Sequence, residues 1–201
     1  MTRLFPNRLQ GKRPIGALAA TLLASFWIGC ASSPSEDCER IPNFGLRCTV
    51  IAVPDPGTFK SAGVTTFLER RCGTLDCHGQ KGRALRVYGL NGLRAPREGG
   101  VDTAAPTTDE EIASNFRSLV SLEPEELSRV VRTGQNADRL LLIQKAIGYD
   151  PDSPIPEQEG VQHKGGRVIN RGFSDEGYRC LVSWIGNKPD PDACTAAANA
   201  Y

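Results

Sequence analysis

The chain has 201 residues, of which 39% are apolar, 23% charged and 6% aromatic, enough for a modest core and too mixed for a disordered or repetitive chain. Arg3, Arg8, Lys12 and Arg13 fall within the first 29 residues, which hold no acid, and the rest carries 20 basic and 23 acidic groups, a net of −3. That near-neutral body excludes bulk electrostatic capture of nucleic acid, while 21 Gly and 14 Pro forecast long loops between few regular elements.

Residues 1–14 are basic, and Ile15 to Gly29 are uncharged and largely apolar, ending Trp27-Ile28-Gly29-Cys30. This is the order of a secretory signal, and the apolar run is shorter than the roughly 20 residues of a spanning helix. The segment resembles a bacterial lipoprotein signal over 1–29, which implies cleavage before Cys30 and lipidation of Cys30. A retained anchor and an ordinary secretory cut are the alternatives. Several acyl chains would hold the protein at a membrane surface, and the body would sit in an oxidising compartment of the cell envelope, periplasmic and tethered to the outer membrane. Residues 30–56 read as a small polar tether followed by Cys38 and Cys48, whose spacing suggests a stapled loop.

The body is expected over 57–201. Phe59, Val64, Phe67 and Leu68 predict a helix over about 60–71 that runs into Cys72-Gly73-Thr74-Leu75-Asp76-Cys77-His78. Gly79 to Asp102 reads as a long loop, or one containing a short helix near 82–88. Thr108 with Glu111 makes a capping box before Ile112, Phe116, Leu119 and Val120. Pro124 opens a second helix that Gly134 stops. Asp138 is placed to cap a third, carrying Leu141, Leu142, Ile143 and Ile147. Pro151, Pro154 and Pro156 enforce a loop up to Gly165-Gly166. Ser174 opens the last helix, with Tyr178, Leu181, Val182 and Ile185 on one face, and Gly186 and Pro189 end it. No alternating strand pattern stands out. The expected class is mainly α with long loops, stapled by disulfides.

Cys72 and Cys77-His78 resemble the covalent haem attachment of c-type cytochromes, with four residues between the thiols where two are usual. The resemblance implies thioether bonds from Cys72 and Cys77 and iron ligation by His78. Downstream, Leu140-Leu141-Leu142-Ile143-Gln144-Lys145, His163-Lys164-Gly165-Gly166, Tyr178, Leu181 and Trp184-Ile185 follow in an order similar to the cytochrome c-like domains of planctomycete and myxobacterial secreted proteins. That resemblance covers about 57–186. It implies a haem c cofactor, redox partner proteins and one-electron transfer without catalytic residues.

The sole Met is Met1, and His163 is the only His besides His78. His163 lies where the resemblance would put the distal ligand, so two-His ligation by His78 and His163 is expected, with an open sixth site, Lys164 or a Tyr as alternatives. An open site would permit peroxidase-like activity. Lacking a Met ligand, the couple should sit low. Arg83, Arg86, Arg94 and Arg97 are candidates to pair with haem propionates, or form a solvated loop face. Cys180 and Cys194 are expected to bridge. The Cys count also closes without haem, as three disulfides, which would leave a stapled scaffold or binding module at the envelope. Cys72, Cys77, His78 and His163 further match the ligand count of a zinc site.

Overall fold

The computed structural model describes residues 37–41, 45–97, 100, 102–148 and 161–200, with backbone alone for 37–41 and 45–49. The signal over 1–29, Cys30, and Pro151, Pro154 and Pro156 lie outside the described residues. Within them the architecture is mainly helical. A two-stranded antiparallel hairpin, β1 (Asp37–Ile41) and β2 (Gly45–Thr49), comes first. The sequence reading did not expect it, because five-residue strands are too short to display a period. Its register sets Cys38 directly opposite Cys48.

The expected helix over 60–71 is two helices, α1 (Pro56–Ser61) and α2 (Val64–Arg71). α1 starts earlier because Asp55 accepts the Gly57 and Thr58 amides and Pro56 occupies the first turn. Gly63 then breaks the helix with φ +82°, a left-handed conformation that glycine adopts without strain. Phe59 is buried on α1, and Val64, Phe67 and Leu68 on α2. α3 (Asp109–Val120) begins with the Thr108–Glu111 capping box as expected. α4 (Pro124–Thr133) ends at Gly134, φ +67°.

Asp138 does not cap α5 (Leu141–Ile147). It lies in a 3-10 turn, Ala137–Arg139, and the Leu141 amide instead donates to Glu123 Oε2 at 2.5 Å. The cap comes from the start of α4, a non-local solution that spacing cannot reveal. α6 (Glu176–Ile185) is capped by Asp175, not opened by Ser174, which sits in a preceding 3-10 turn. After Pro189 the chain does not trail off. Asp190 caps and Pro191 opens a further helix, α7 (Pro191–Asn199), which the Cys180–Cys194 disulfide joins to α6 as expected.

The core forms where α2 packs against α6 and α7. Phe59, Phe116 and Trp184 bring α1, α3 and α6 together, with ring centres 5.2 to 6.1 Å apart, in the edge and tilted geometries aromatic rings prefer. Trp184 is wholly buried and donates its Nε1–H to the Asp55 carbonyl. Tyr178 packs against the same core and edge-on to Phe173.

Residues 79–107 contain no helix near 82–88, only an isolated pairing of Tyr88 with Leu93. Where this loop packs against the body its backbone must find partners, and one polar face of α3 provides them. Glu111 accepts the Ala95 amide, Asn115 exchanges two hydrogen bonds with the Tyr88 backbone, and Ser118 accepts the Arg86 amide. These residues stand at i, i+4 and i+7 on α3.

Arg94 is the anchor. It lies buried, donates to both Glu111 oxygens at 2.9–3.0 Å and also to the carbonyls of Asp102, Ala105 and Pro106. Arg97 adds a bond to Glu111 at 3.1 Å. Arg94 and Arg97 are therefore committed to Glu111, which corrects the reading of both as propionate partners.

Burial alone raises the Glu111 carboxyl, but the Arg94 guanidinium and the Thr108 and Ala95 amides outweigh it and hold it at about 2. A carboxyl depressed below its ordinary 4.5 stabilises the fold fully above that pH and loses its contribution as pH falls toward 2. Glu111→Gln, which leaves Arg94 buried without its counter-charge, should lower stability at pH 7 by about 3–5 kcal/mol. Urea denaturation should show that deficit shrinking steadily as pH falls from 4.5 to about 2.

Candidate functional site

The site is built around the end of α2. The Cys72 and Gly73 amides both donate to Leu68 O, finishing the helix. The chain then curls through Gly73–Asp76: the Cys77 and Gly79 amides donate to Thr74 O, and the His78 amide donates to Cys72 O at 2.9 Å. This closed turn accommodates the four intervening residues and returns Cys77-His78 to the side of Cys72. Close packing demands glycine here. A Cβ on Gly79 would stand 2.2 Å from Gly73 O, and one on Gly92 2.3 Å from the same atom.

Cys72 and Cys77 carry free thiols and are not bridged to one another. Burial, reinforced by the neighbouring Cys77, pushes the Cys72 thiol up to about 12. Burial thus favours the protonated form of Cys72.

His78 is fixed by the loop that α3 supports. Its Nδ1 lies 2.9 Å from Leu85 O, and its own carbonyl accepts the Val87 amide. A carbonyl can only accept, so Nδ1 carries the hydrogen and Nε2 keeps its lone pair. Burial lowers the His78 pKa; the Leu85 bond opposes this, and the charges of His163, Arg83 and Lys145 reinforce it. The ring is held neutral, the form that ligates metals.

His163 arrives from the other side. Its segment is clipped to α5 by the Val168 and Ile169 amides, which donate to Ala146 O, and by Arg167 Nε, which donates to Ile147 O. Arg71 of α2 donates to Val168 O. His163 Nδ1 is 2.7 Å from Gly166 O, so this ring too presents a free Nε2.

The two imidazoles are nearly parallel, 10° apart, with centres 5.9 Å from each other. Gly165 lies beside His163 without a side chain. A Cβ on Gly165 would lie 3.4 Å from His163 Cε1, 3.8 Å from its Nε2 and 3.9 Å from Cys77 Sγ. The ligating edge of His163 therefore faces the Cys77 sulfur across a glycine.

The fold sets the His78 and His163 rings parallel, Cys77 near His163 across Gly165, and Cys72 near Cys77. Among the described residues, no group of three or more His, Cys, Asp and Glu side chains gathers into a metal-holding cluster. The residues that sequence reasoning missed are Leu85 and Gly166, whose carbonyls fix the two rings. Backbone acceptors leave no residue-type signal. Arg83 and Arg86 remain exposed, and Arg83 and Lys145 are the cations whose charge reaches His78.

No family model, no curated protein and no solved structure matches this chain.

The tight turn yields a direct test. Gly79→Ala should destabilise the protein by at least about 1–3 kcal/mol, the cost of forcing atoms into a filled space. Gly82→Asn, at an open position with φ +87°, should cost less than about 1 kcal/mol. Parallel urea titrations of the two variants check the contrast.

Proposed function

We propose that this protein is a membrane-tethered, extracytoplasmic monohaem c-type cytochrome, relaying single electrons between partner proteins. The observation that carries this reading is the pair of parallel imidazoles 5.9 Å apart, each with Nδ1 tied to a carbonyl, beside two unbridged thiols. The position of Gly165, where a Cβ would touch both His163 and Cys77, supports it further. The residues present fit a haem c: Cys72 and Cys77 would hold it by thioethers, and His78 and His163 would ligate its iron. Bound there, it would supply a one-electron iron couple.

The chain's own residues account for the rest. Leu85 O and Gly166 O orient the imidazoles and strengthen them as donors, the usual task of partners behind metal-ligating histidines. The α3 loop braces Leu85, and the α2, α6 and α7 packing braces Cys72 from behind. α2, which leads into Cys72, packs against α6 and α7, the last two helices. Arg83 and Lys145 take over from Arg94 and Arg97 as the cations available to acidic groups on the cofactor. Two imidazoles without a Met would place the couple below that of Met–His cytochromes.

Anchoring at the outer membrane, with the body in the periplasm, rests on the signal-like order of 1–29 and on lipidation of Cys30. Among the described residues, no helix is long and apolar enough to cross a membrane. The opposed positions of Cys38 and Cys48 in the hairpin agree with a second bridge, suited to an oxidising compartment.

Expression of the mature body alongside haem-maturation machinery tests the reading. After denaturation, a reduced-haem absorption band should stay with the polypeptide, and Cys77→Ser should remove most of it. A polypeptide that emerges from denaturation colourless would overturn the proposal.

A further inference from the structure

The turn His163-Lys164-Gly165-Gly166 is closed twice over. The Gly166 amide donates to His163 O at 3.0 Å, and His163 Nδ1 bonds Gly166 O at 2.7 Å. The residue that orients the ring is therefore three positions away on the same small turn, not on a neighbouring helix. Gly166 reaches this arrangement with φ +80°, and a Cβ placed on it would meet nothing within 4 Å. Space does not require glycine at 166. Backbone conformation does, because the left-handed region is costly for most side chains and tolerable for Asn.

Gly165 answers to the opposite constraint. Its backbone is not left-handed, and a Cβ would sit in ordinary van der Waals contact, 3.4 Å from His163 Cε1 and 3.9 Å from Cys77 Sγ. The two glycines thus differ: Gly166 is set by its dihedral, while at Gly165 a Cβ already touches both His163 and Cys77 and a larger side chain would enter the space between them.

We infer that Gly166 and Gly165 are positioning residues for the sixth ligand: Gly166 aims His163 through its own carbonyl, and Gly165 keeps the space between His163 Nε2 and Cys77 Sγ clear for the macrocycle. The inference rests on the proposed haem reading and deepens it. The distal ligand would be carried on a self-contained arm, with its orientation set by a local turn. A change in that turn should release the ligand while leaving covalent attachment through Cys72 and Cys77 intact.

The test uses the full haem-loaded protein and four variants. His163→Ala defines the signature of a lost ligand, a high-spin spectrum and carbon monoxide binding to the ferrous form. Gly166→Val, a β-branched residue in the left-handed region, should reproduce that signature, with carbon monoxide affinity at least tenfold above the parent and covalent haem content unchanged. Gly166→Asn should keep the low-spin spectrum of the parent. Gly165→Val should instead reduce covalent haem content, because its side chain enters the space beside Cys77. The unchanged haem content of Gly166→Val serves as its folding control, and Asn rescue separates ring aiming from general loop stability.

Identical spectra for the Val and Asn variants at 166, whether parental or high-spin, would overturn the assignment of Gly166. Full haem content in Gly165→Val would overturn that of Gly165. A parent spectrum that His163→Ala leaves unchanged would remove two-His ligation itself, and the aiming role with it.

Discussion

The hydrogen bond from the His78 amide to the Cys72 carbonyl is the constraint on which the rest of the site depends. It closes a turn over Gly73–Asp76, so that a thiol at the end of α2 and a thiol-imidazole pair six residues on face the same space. Without that closure, four intervening residues would let Cys77 and His78 swing away from the helix end. The closure demands bare backbone at its contacts, which is why Gly73 O is approached so closely by Gly79 and Gly92. A tight loop of this kind contributes little stability by itself, since it buries few side chains. It has to be held from outside.

The outside support is a chain of non-local polar contacts. Arg94 and Glu111 form a buried ion pair at the base of the loop, and Asn115 and Ser118 extend the same face of α3 along it. That line ends at Leu85, whose carbonyl fixes His78. Glu69 of α2 adds a cross-tie, accepting hydrogen bonds from Thr65 and Thr107. Its carboxyl is raised chiefly by burial, against the lowering effect of those hydroxyls. A buried ion pair is weak evidence for net stability against an apolar substitute, yet breaking one partner is costly. Here it sets the path of an irregular segment, which hydrophobic packing could not specify alone. His163 is held by different means, on a turn clipped to α5 and α2.

How much was legible in the sequence depended on whether the cause was local. The capping box at Thr108 and Glu111, the Pro124 start, the Gly134 stop and the Cys180–Cys194 staple all follow from short spacings. The split between α1 and α2 escaped because a helical apolar pattern continues across Gly63, and only the positive φ there reveals the break. α7 escaped because no element was expected beyond Pro189, although Pro191 suits a first helical turn. Arg94 was misjudged since its partner lies 17 residues away and composition cannot show burial. The candidate ligands were legible from scarcity, there being two His and no Met beyond Met1. Their orientation was not, because it is set by the carbonyls of Leu85 and Gly166.

Intact-mass spectrometry of the mature protein, made with haem-maturation machinery and kept unreduced, bears most directly on the central claim. The account predicts a polypeptide heavier by one iron porphyrin, with Cys72 and Cys77 resistant to thiol alkylation before and after reduction. A chain without that increment, in which the two sulfurs become alkylatable only on reduction, would show an ordinary cystine and contradict it.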